Sequence, residues 1–563
     1  MKNPIDINAK FREIYKNPLF KLKVITTVIT VYLIIRQENI GVPYYDVFVY
    51  LNNALIFAGI PVGNMSVIYL SPLMPILTSL VFRTGYISAN VIFILDGLIF
   101  ISGVIGLYLI FRERFNEIQS LLGSLIFISF PLVYSWAASG AIDVPGVSFS
   151  IWVIYALVMG VRKNSKLLYL VFPLFTVAFL ARYTSAILVF PMILYLLMND
   201  DFIKNMKKIS FGILAGLVII TPFFIYIYEK LGNLNSIINI FTSTLIGSGA
   251  SVNDLGYNPD KLYYLTHILN YISVSPLQGT YSQILNPSYG FPSVLSYITV
   301  IIVLFGLSIY LYGIMKKKIQ EIDIYNKNKT NLQLIILILL FIVGILSFFT
   351  SSYLITEFII LGALYVGYRL LKGTKIKNLE IDFLFLSWFV SFFIFHSIIP
   401  LKVDRYFITM SPALAYFIIL GLSIVIEKYK FKFKQEKLKS GGLYFIVGLV
   451  FLSSITAVNL GHTPKHGYGF YIQSASDWLM EYDPNYQDKV IYSDYDPALT
   501  WSLKKEVKFG VPRLYTSSEA FSNYLIGNNA DYYIDTLSNP KPDIPGYHII
   551  KNITSISIYE SNS

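Results

Sequence analysis

Apolar residues dominate this chain in long runs, and the polar breaks between them set the first expectation. Thirteen runs read as membrane spans: 20–36, 88–111, 118–136, 146–161, 167–181, 184–198, 209–228, 294–315, 332–351, 353–371, 381–399, 405–426 and 442–459. Several lie near the lower limit of ~17 residues for a helix crossing the hydrocarbon core. Three long connecting segments fall on one face. The first, 37–87, holds two shorter apolar stretches, 51–60 and 72–82, read as helices lying along the membrane surface. The second, 229–293, is rich in Asn, Ser, Gly and Tyr, and loops of such length are usually functional. The third is the tail, 460–563. It alternates strand-like runs (489–493, 513–515, 531–535, 547–551, 555–559) with helix-like ones (497–505, 518–526). That order predicts a small α/β domain of about 100 residues. The expected fold class is a polytopic α-helical membrane protein of about thirteen spans, residues 1–459, carrying an extracytoplasmic α/β domain, residues 460–563.

Composition agrees and narrows the chemistry. The chain is 55% hydrophobic and 14% charged, against about 25% charged in soluble domains. It has no cysteine, which removes disulfides, thiolate nucleophiles and cysteine-ligated metals. The net charge of +11 does not mark a nucleic-acid protein, because 29 of the 44 Lys and Arg lie in segments that alternate with the three long ones. The positive-inside rule then places the N-terminus in the cytoplasm and the tail outside, in a multi-pass protein of the plasma membrane. The first apolar run reads as a retained signal anchor.

Polar residues at the outer ends of spans carry the candidate chemistry, since charge near hydrocarbon is costly and tends to line a wet cavity. Asp46 stands first, in Tyr44-Tyr45-Asp46-Val47-Phe48-Val49-Tyr50. On a helix, Tyr50 and Asn53 share its face, and a carboxylate there can take a proton from an acceptor hydroxyl. A helix cap is the other reading. Asp143, before Pro145, fits a helix start, a loop anchor or a contact to a sugar hydroxyl. Arg182-Tyr183 sits in a tight outer turn, where the arginine either snorkels or meets a phosphate. The densest cluster is His396 to Tyr406, with Lys402 and Arg405 at one membrane edge. A guanidinium fork near a helix start suits a lipid-linked phosphate, with headgroup anchoring as the alternative. Asp96 and Glu357 line a cavity or pair with a cation. The dispersed His267, His462, His466 and His548 suggest no metal site. Asn64-Met65-Ser66 and Asn552-Ile553-Thr554 match the glycosylation pattern.

Taken in order, these pieces resemble the GT-C superfamily of polyprenyl-phosphate-sugar-dependent glycosyltransferases, in the branch of protein O-mannosyltransferases and lipid A aminoarabinose transferases. The resemblance rests on Tyr45-Asp46 through Tyr50, Tyr69-Leu70-Ser71-Pro72-Leu73-Met74-Pro75, Ile142-Asp143-Val144-Pro145, Leu180-Ala181-Arg182-Tyr183 and Lys402-Val403-Asp404-Arg405-Tyr406. It implies that Asp46 is the general base and that the Arg405 region holds the donor phosphate. Val47 stands where the family often has a second acid, and Leu70-Ser71 where it often has a lysine. No WWDYG-type signature is present, which argues against transfer of a whole glycan to asparagine.

The expectation is therefore an inverting transferase that moves a sugar from a polyprenyl (dolichyl) monophosphate to a hydroxyl of a protein, glycan or lipid acceptor. Asp46 is expected as the base, with Arg405, Lys402 and Arg182 on the donor phosphate. Tyr45, Tyr50, Asp143, His396 and Tyr406 are expected to contact substrate. A monophosphate leaving group held by arginine calls for no divalent metal, so neither metal nor cofactor is expected. The competing readings are a lipid-linked glycan flippase and an O-antigen polymerase or ligase.

Overall fold

Asn17 starts the first helix: its side chain accepts hydrogen bonds from the amides of Leu19 and Phe20, and Pro18 follows where a missing amide proton costs nothing. The computed structural model describes residues 17–60, 62, 68–239, 257–275, 286–321, 327–374, 376–428, 436–461 and 468–562. Helix α1 (Pro18–Ile40) ends at Gly41, whose φ of +86° suits glycine. The next helices are α2 (Tyr45–Phe57), α3 (Leu73–Phe82), α4 (Asn90–Phe111), α5 (Glu117–Ser129) and α6 (Pro131–Trp136). Then come α7 (Asp143–Arg162), α8 (Leu168–Ala181), α9 (Val189–Leu197), α10 (Phe202–Leu231), α11 (Val294–Glu321) and α12 (Lys327–Thr350). The membrane part closes with α13 (Tyr353–Leu371), α14 (Leu379–Ile398), a 3-10 turn at Asp404–Met410, α15 (Ser411–Lys428) and α16 (Glu436–Leu460).

Every predicted span is helical, but length divides them. Among the described residues ten helices are long and apolar enough to cross a membrane. The run 118–136 is split at Pro131, which has no amide proton to continue α5. The runs 167–181 and 184–198 form α8, a 3-10 turn at Tyr183–Leu188 and the nine-residue α9, all short of that length. The count of thirteen spans is therefore not reached by length. The segment Asp404–Lys428 is the most enclosed, 83% buried, whereas Thr330–Thr350 is 17% buried and turns Leu, Ile and Phe outward. The core is thus built by α4, α7, α14 and the 404–428 segment, and α10 to α12 form an apolar rim suited to lipid. At one end of this core Asp382 accepts hydrogen bonds from Arg114 Nε (2.9 Å), Tyr310 (2.5 Å) and Tyr416.

The C-terminal region supplies α17 (Tyr468–Tyr482), α18 (Asp496–Leu503) and α19 (Ser518–Gly527) around a five-stranded sheet. Its strands are β1 (Ile491–Ser493), β2 (Lys508–Phe509), β3 (Tyr532–Asp535), β4 (Tyr547–Ile553) and β5 (Ile556–Ser561), ordered β2-β1-β3-β5-β4. Strands β1, β2 and β3 are parallel, and β5 and β4 continue antiparallel. Aromatic residues Phe521, Tyr533 and Tyr559 fill one face. The other face, with Ala498, Leu499 and Trp501 of α18, is continuous with the core of the membrane part. Helix α2 is consequently roofed over, and Val47 to Leu55 are all buried. The expectation that the apolar residues 51–60 lie along the membrane surface meets a different outcome, a helix enclosed by protein.

Candidate functional site

Four charged side chains that lie far apart in sequence meet where α2, α7, α8 and the 404–410 turn converge. Asp46 occupies the first turn of α2, where free amides favour a negative charge. Its Oδ2 accepts a hydrogen bond from Arg405 Nη2 at 2.8 Å, and its side chain is 34% exposed. Arg405 is buried. Its guanidinium lies over the ring of Tyr44 (4.2 Å) and beside Trp136 (5.5 Å), and Nη2 also donates to Tyr44 Oη at 3.2 Å. Its Nη1 is 3.6 Å from Asp143 Oδ2. The other Asp143 oxygen accepts from Arg182 Nη1. Both members of that pair are buried, so Arg182 and Asp143 balance each other with almost no help from water, while Asp46 is the one member of the cluster that water reaches.

The surroundings explain why the groups can approach so closely. A side chain on Gly146, in the first turn of α7, would sit 2.6 Å from Arg182 Cβ, so only glycine lets the two chains pass. Gly140, with φ +82°, turns the chain toward Asp143. Asp96 accepts from the Gly140 amide at 3.0 Å, and this fastening of the turn is the role the structure gives that buried acid. Trp388, fully buried in α14, donates to the Thr409 carbonyl at 2.9 Å and holds the turn that carries Arg405. Next to Arg405, Asp404 accepts from Tyr263 (2.7 Å), Tyr271 (2.8 Å), the Ser288 amide (3.0 Å) and the Ser288 hydroxyl (2.7 Å). The described parts of the long loop are thereby clasped to the Arg405 turn.

The remaining predicted residues divide. Tyr406 lies under the Arg182 guanidinium (5.2 Å) and stacks on His396 (5.1 Å), whose Nε2 is 3.1 Å from Thr409 Oγ1. Tyr50 is buried within electrostatic reach of Asp46, Arg405, Asp143 and Arg182, and burial keeps its phenol well above the usual range. Tyr45 faces away from Asp46, because consecutive helical side chains point about 100° apart, and donates to Asp496 Oδ1 at 3.1 Å. Lys402 is placed differently from the expectation of a phosphate contact. It donates to the carbonyls of His396 (2.9 Å), Ser397 (2.7 Å) and Ile399, occupying the acceptors left at the end of α14. Burial lowers its ammonium to about 8. Glu357 accepts from Ser391 between α13 and α14, away from these groups. The histidines 462 and 466 and the 64–66 pattern lie outside the described residues.

Sequence reasoning left Tyr44, Trp136 and Asp496 out of the site. Burial pushes Tyr44 up to about 12, partly offset by Arg405, so its hydroxyl stays a neutral donor. The arrangement offers a half-open carboxylate, a buried guanidinium with one face on it, and a neutral phenol beside both. Such a set can accept one proton and stabilise one developing anion.

Residues 70–226 match the sequence model of the family described as dolichyl-phosphate-mannose-protein mannosyltransferase. That stretch contains Asp143 and Arg182, and neither Asp46 nor Arg405. No curated protein sequence matches the chain. The fold is similar to the crystal structure of ArnT from Cupriavidus metallidurans bound to undecaprenyl phosphate, with a TM-score of 0.58 at 10% identity over 95% of this chain and 97% of that one. The apo state of the same protein gives 0.57 at 11% identity, with the same coverage. The Archaeoglobus fulgidus oligosaccharyltransferase tethered with an acceptor peptide gives 0.48 at 11% identity, over 92% of this chain and 69% of that one. The resemblance to GT-C glycosyltransferases thus holds for the fold: a mostly helical, ArnT-like multi-pass membrane protein with a small C-terminal sheet.

Proposed function

We propose that this chain is an inverting glycosyltransferase, which moves one sugar from a polyprenyl (dolichyl) monophosphate to a hydroxyl of a protein, glycan or lipid on the outer face of the membrane. Residues 1–459 then form the catalytic membrane part, with the N-terminus cytoplasmic and 460–563 outside, as the distribution of basic residues supports. The observation that carries the reading is the pair at 2.8 Å between Asp46, one third exposed, and Arg405, buried between two aromatic rings.

In this reading Asp46 takes the proton of the acceptor hydroxyl. The freed oxygen attacks the anomeric carbon, and the bond from that carbon to the phosphate oxygen breaks on the opposite side. One carbon–oxygen bond forms, one breaks, and the proton remains on Asp46. Neutralising Asp46 relieves Arg405 of one of its two carboxylates as negative charge gathers on the departing phosphate. The guanidinium therefore acts where charge develops rather than where it starts. Tyr44 adds a neutral hydrogen-bond donor. Arg182 and Lys402, engaged with Asp143 and with helix-end carbonyls, act behind Arg405 rather than on the phosphate.

The test is transfer from radiolabelled polyprenyl-phosphate-sugar in membranes holding wild type or Asp46→Asn. Loss of at least ~100-fold is expected, the lower end of what a general base supplies. Transfer that survives the change moves the base elsewhere, with Asp143 next in line. Absence of transfer with every donor tried sinks the transferase reading and calls for an assay of lipid-linked sugar flipping.

A further inference from the structure

Helix α2 is held from two sides, and only one side belongs to the charged cluster. On the other, the start of α18 in the C-terminal region lies against it. Tyr45 donates to Asp496 Oδ1 at 3.1 Å, and its ring meets Tyr495 edge-on at 5.1 Å. One turn further along, Phe48 meets Tyr495 at 6.3 Å, and Asn52 donates to the Pro497 carbonyl at 2.9 Å. Asp496 is buried at the first turn of α18, and Asp494 is the other carboxylate in electrostatic reach of it. Tyr45 and Asp46 are neighbours in the first turn of α2. Any rotation of that turn about the helix axis moves both, so fixing the phenol fixes the carboxylate.

We infer that Asp496 is a positioning residue. Through Tyr45 it sets the rotation of the first turn of α2 and with it the direction in which Asp46 points. The inference rests on the proposed role of Asp46 as base. The physical need is clear from the exposures: the Asp46 end of the pair with Arg405 is one third open to solvent, and such pairs hold geometry weakly. A displacement of about 1 Å in a reacting group is enough to lower a rate ~100-fold. The hydrogen bond from Tyr45 to a buried carboxylate supplies the restraint that the exposed pair lacks.

The test uses the full chain in membranes with a radiolabelled polyprenyl-phosphate-sugar. Asp496→Ala is expected to lower kcat by roughly tenfold or more while leaving the KM for the donor unchanged. Asp496→Asn restores most of the rate, because the amide oxygen still accepts the phenol proton. Tyr45→Phe matches the alanine variant, and combining the two costs no more than either alone. Asn52→Ala removes a different hydrogen bond in the same seam and leaves the rate near wild type. A second reading needs no turnover: the chain lacks cysteine, so alkylation of Asp46→Cys by a water-soluble thiol reagent reports the exposure of position 46. Adding Asp496→Ala is expected to change that alkylation rate severalfold, and adding Asp496→Asn is not. The proposal is overturned by an unchanged alkylation rate, by full activity in Asp496→Ala, by an asparagine no better than alanine, or by an equal loss in Asn52→Ala. Activity retained in Asp46→Asn would instead overturn the assignment of the base, while the alkylation result still decides whether Asp496 holds position 46.

Discussion

Replacing Asp143 by asparagine and replacing Asp46 by asparagine should damage the protein in opposite ways, although Arg405 touches both acids. The Asp143 side chain is 2% exposed, with one oxygen on Arg182 and the other 3.6 Å from Arg405. Its neutralisation leaves two buried guanidinium groups with one carboxylate between them, and breaking a buried pair costs about 3–5 kcal/mol. The side chain of Asp46 is 34% exposed, and a pair that water reaches contributes about 0–1 kcal/mol. In purified protein heated in detergent and read by size-exclusion recovery, Asp143→Asn should lose ~3–4 °C of its midpoint, the shift that about 3–5 kcal/mol makes in a chain of this size. Asp46→Asn should melt within about 1 °C of wild type while losing transfer. An Asp143→Asn protein as heat-resistant as wild type would show that water or a neighbouring dipole screens the two cations, and the account of a dry charge network would fall.

Other expectations follow from single contacts. Gly146→Ala drives a new carbon against Arg182 Cβ, a backbone-proximal atom that cannot swing aside, so about 1–3 kcal/mol of stability should be lost, read in the same melt. Asp404→Ala releases Tyr263, Tyr271 and Ser288, and limited proteolysis should then cut within 257–293 faster than in wild type. Burial raises Asp496 from 3.8 to about 6, with the Tyr45 hydrogen bond opposing. Between those values the folded state binds more protons than the unfolded one, so stability falls as pH rises from about 4 to about 6. The full penalty, about 3 kcal/mol, then persists above about pH 6. Hydrogen exchange in β1 and β3, corrected for intrinsic rates, should be slower at the acid end, and Asp496→Asn should lessen that dependence, with Asp494, which burial likewise raises to about 6, keeping the rest.

Much of this arrangement is legible in the residues, because the place of a charged group along the chain says as much as its type. Asp46, Asp143, Arg182 and Arg405 each stand at the edge of an apolar run, and the fold brings all four together. Their pairing was not legible, since 359 residues separate Asp46 from Arg405 and only packing closes that gap. Lys402 misled because a cation near Arg405 suits a phosphate equally well, yet its position just past the last turn of α14 is also where free carbonyls attract a cation. Trp136 looked like the end of a span. Pro131, five residues earlier, carried the signal that the run breaks there and that a short helix follows. In the C-terminal region most strands and helices matched their alternating pattern, but β2 was missed because two residues leave no periodicity to read. Nothing in either stretch tied Tyr45 to Asp496. The Asp-Pro pair at 496–497 announced a helix start, but not what it would rest on.

The shortness of α8 has a consequence for the membrane around the charged cluster. With the 3-10 turn Ser165–Leu167 that leads into it, the helix runs over Ser165–Ala181 and rises about 27 Å, a few ångströms less than the ~30 Å hydrocarbon thickness of a bilayer. Arg182 follows directly on that helix, so the bilayer has to thin locally for that guanidinium to stay at headgroup level. In the proposed transferase, turnover should then respond to the acyl-chain length of the host membrane, because a thicker bilayer widens this mismatch and a thinner one closes it.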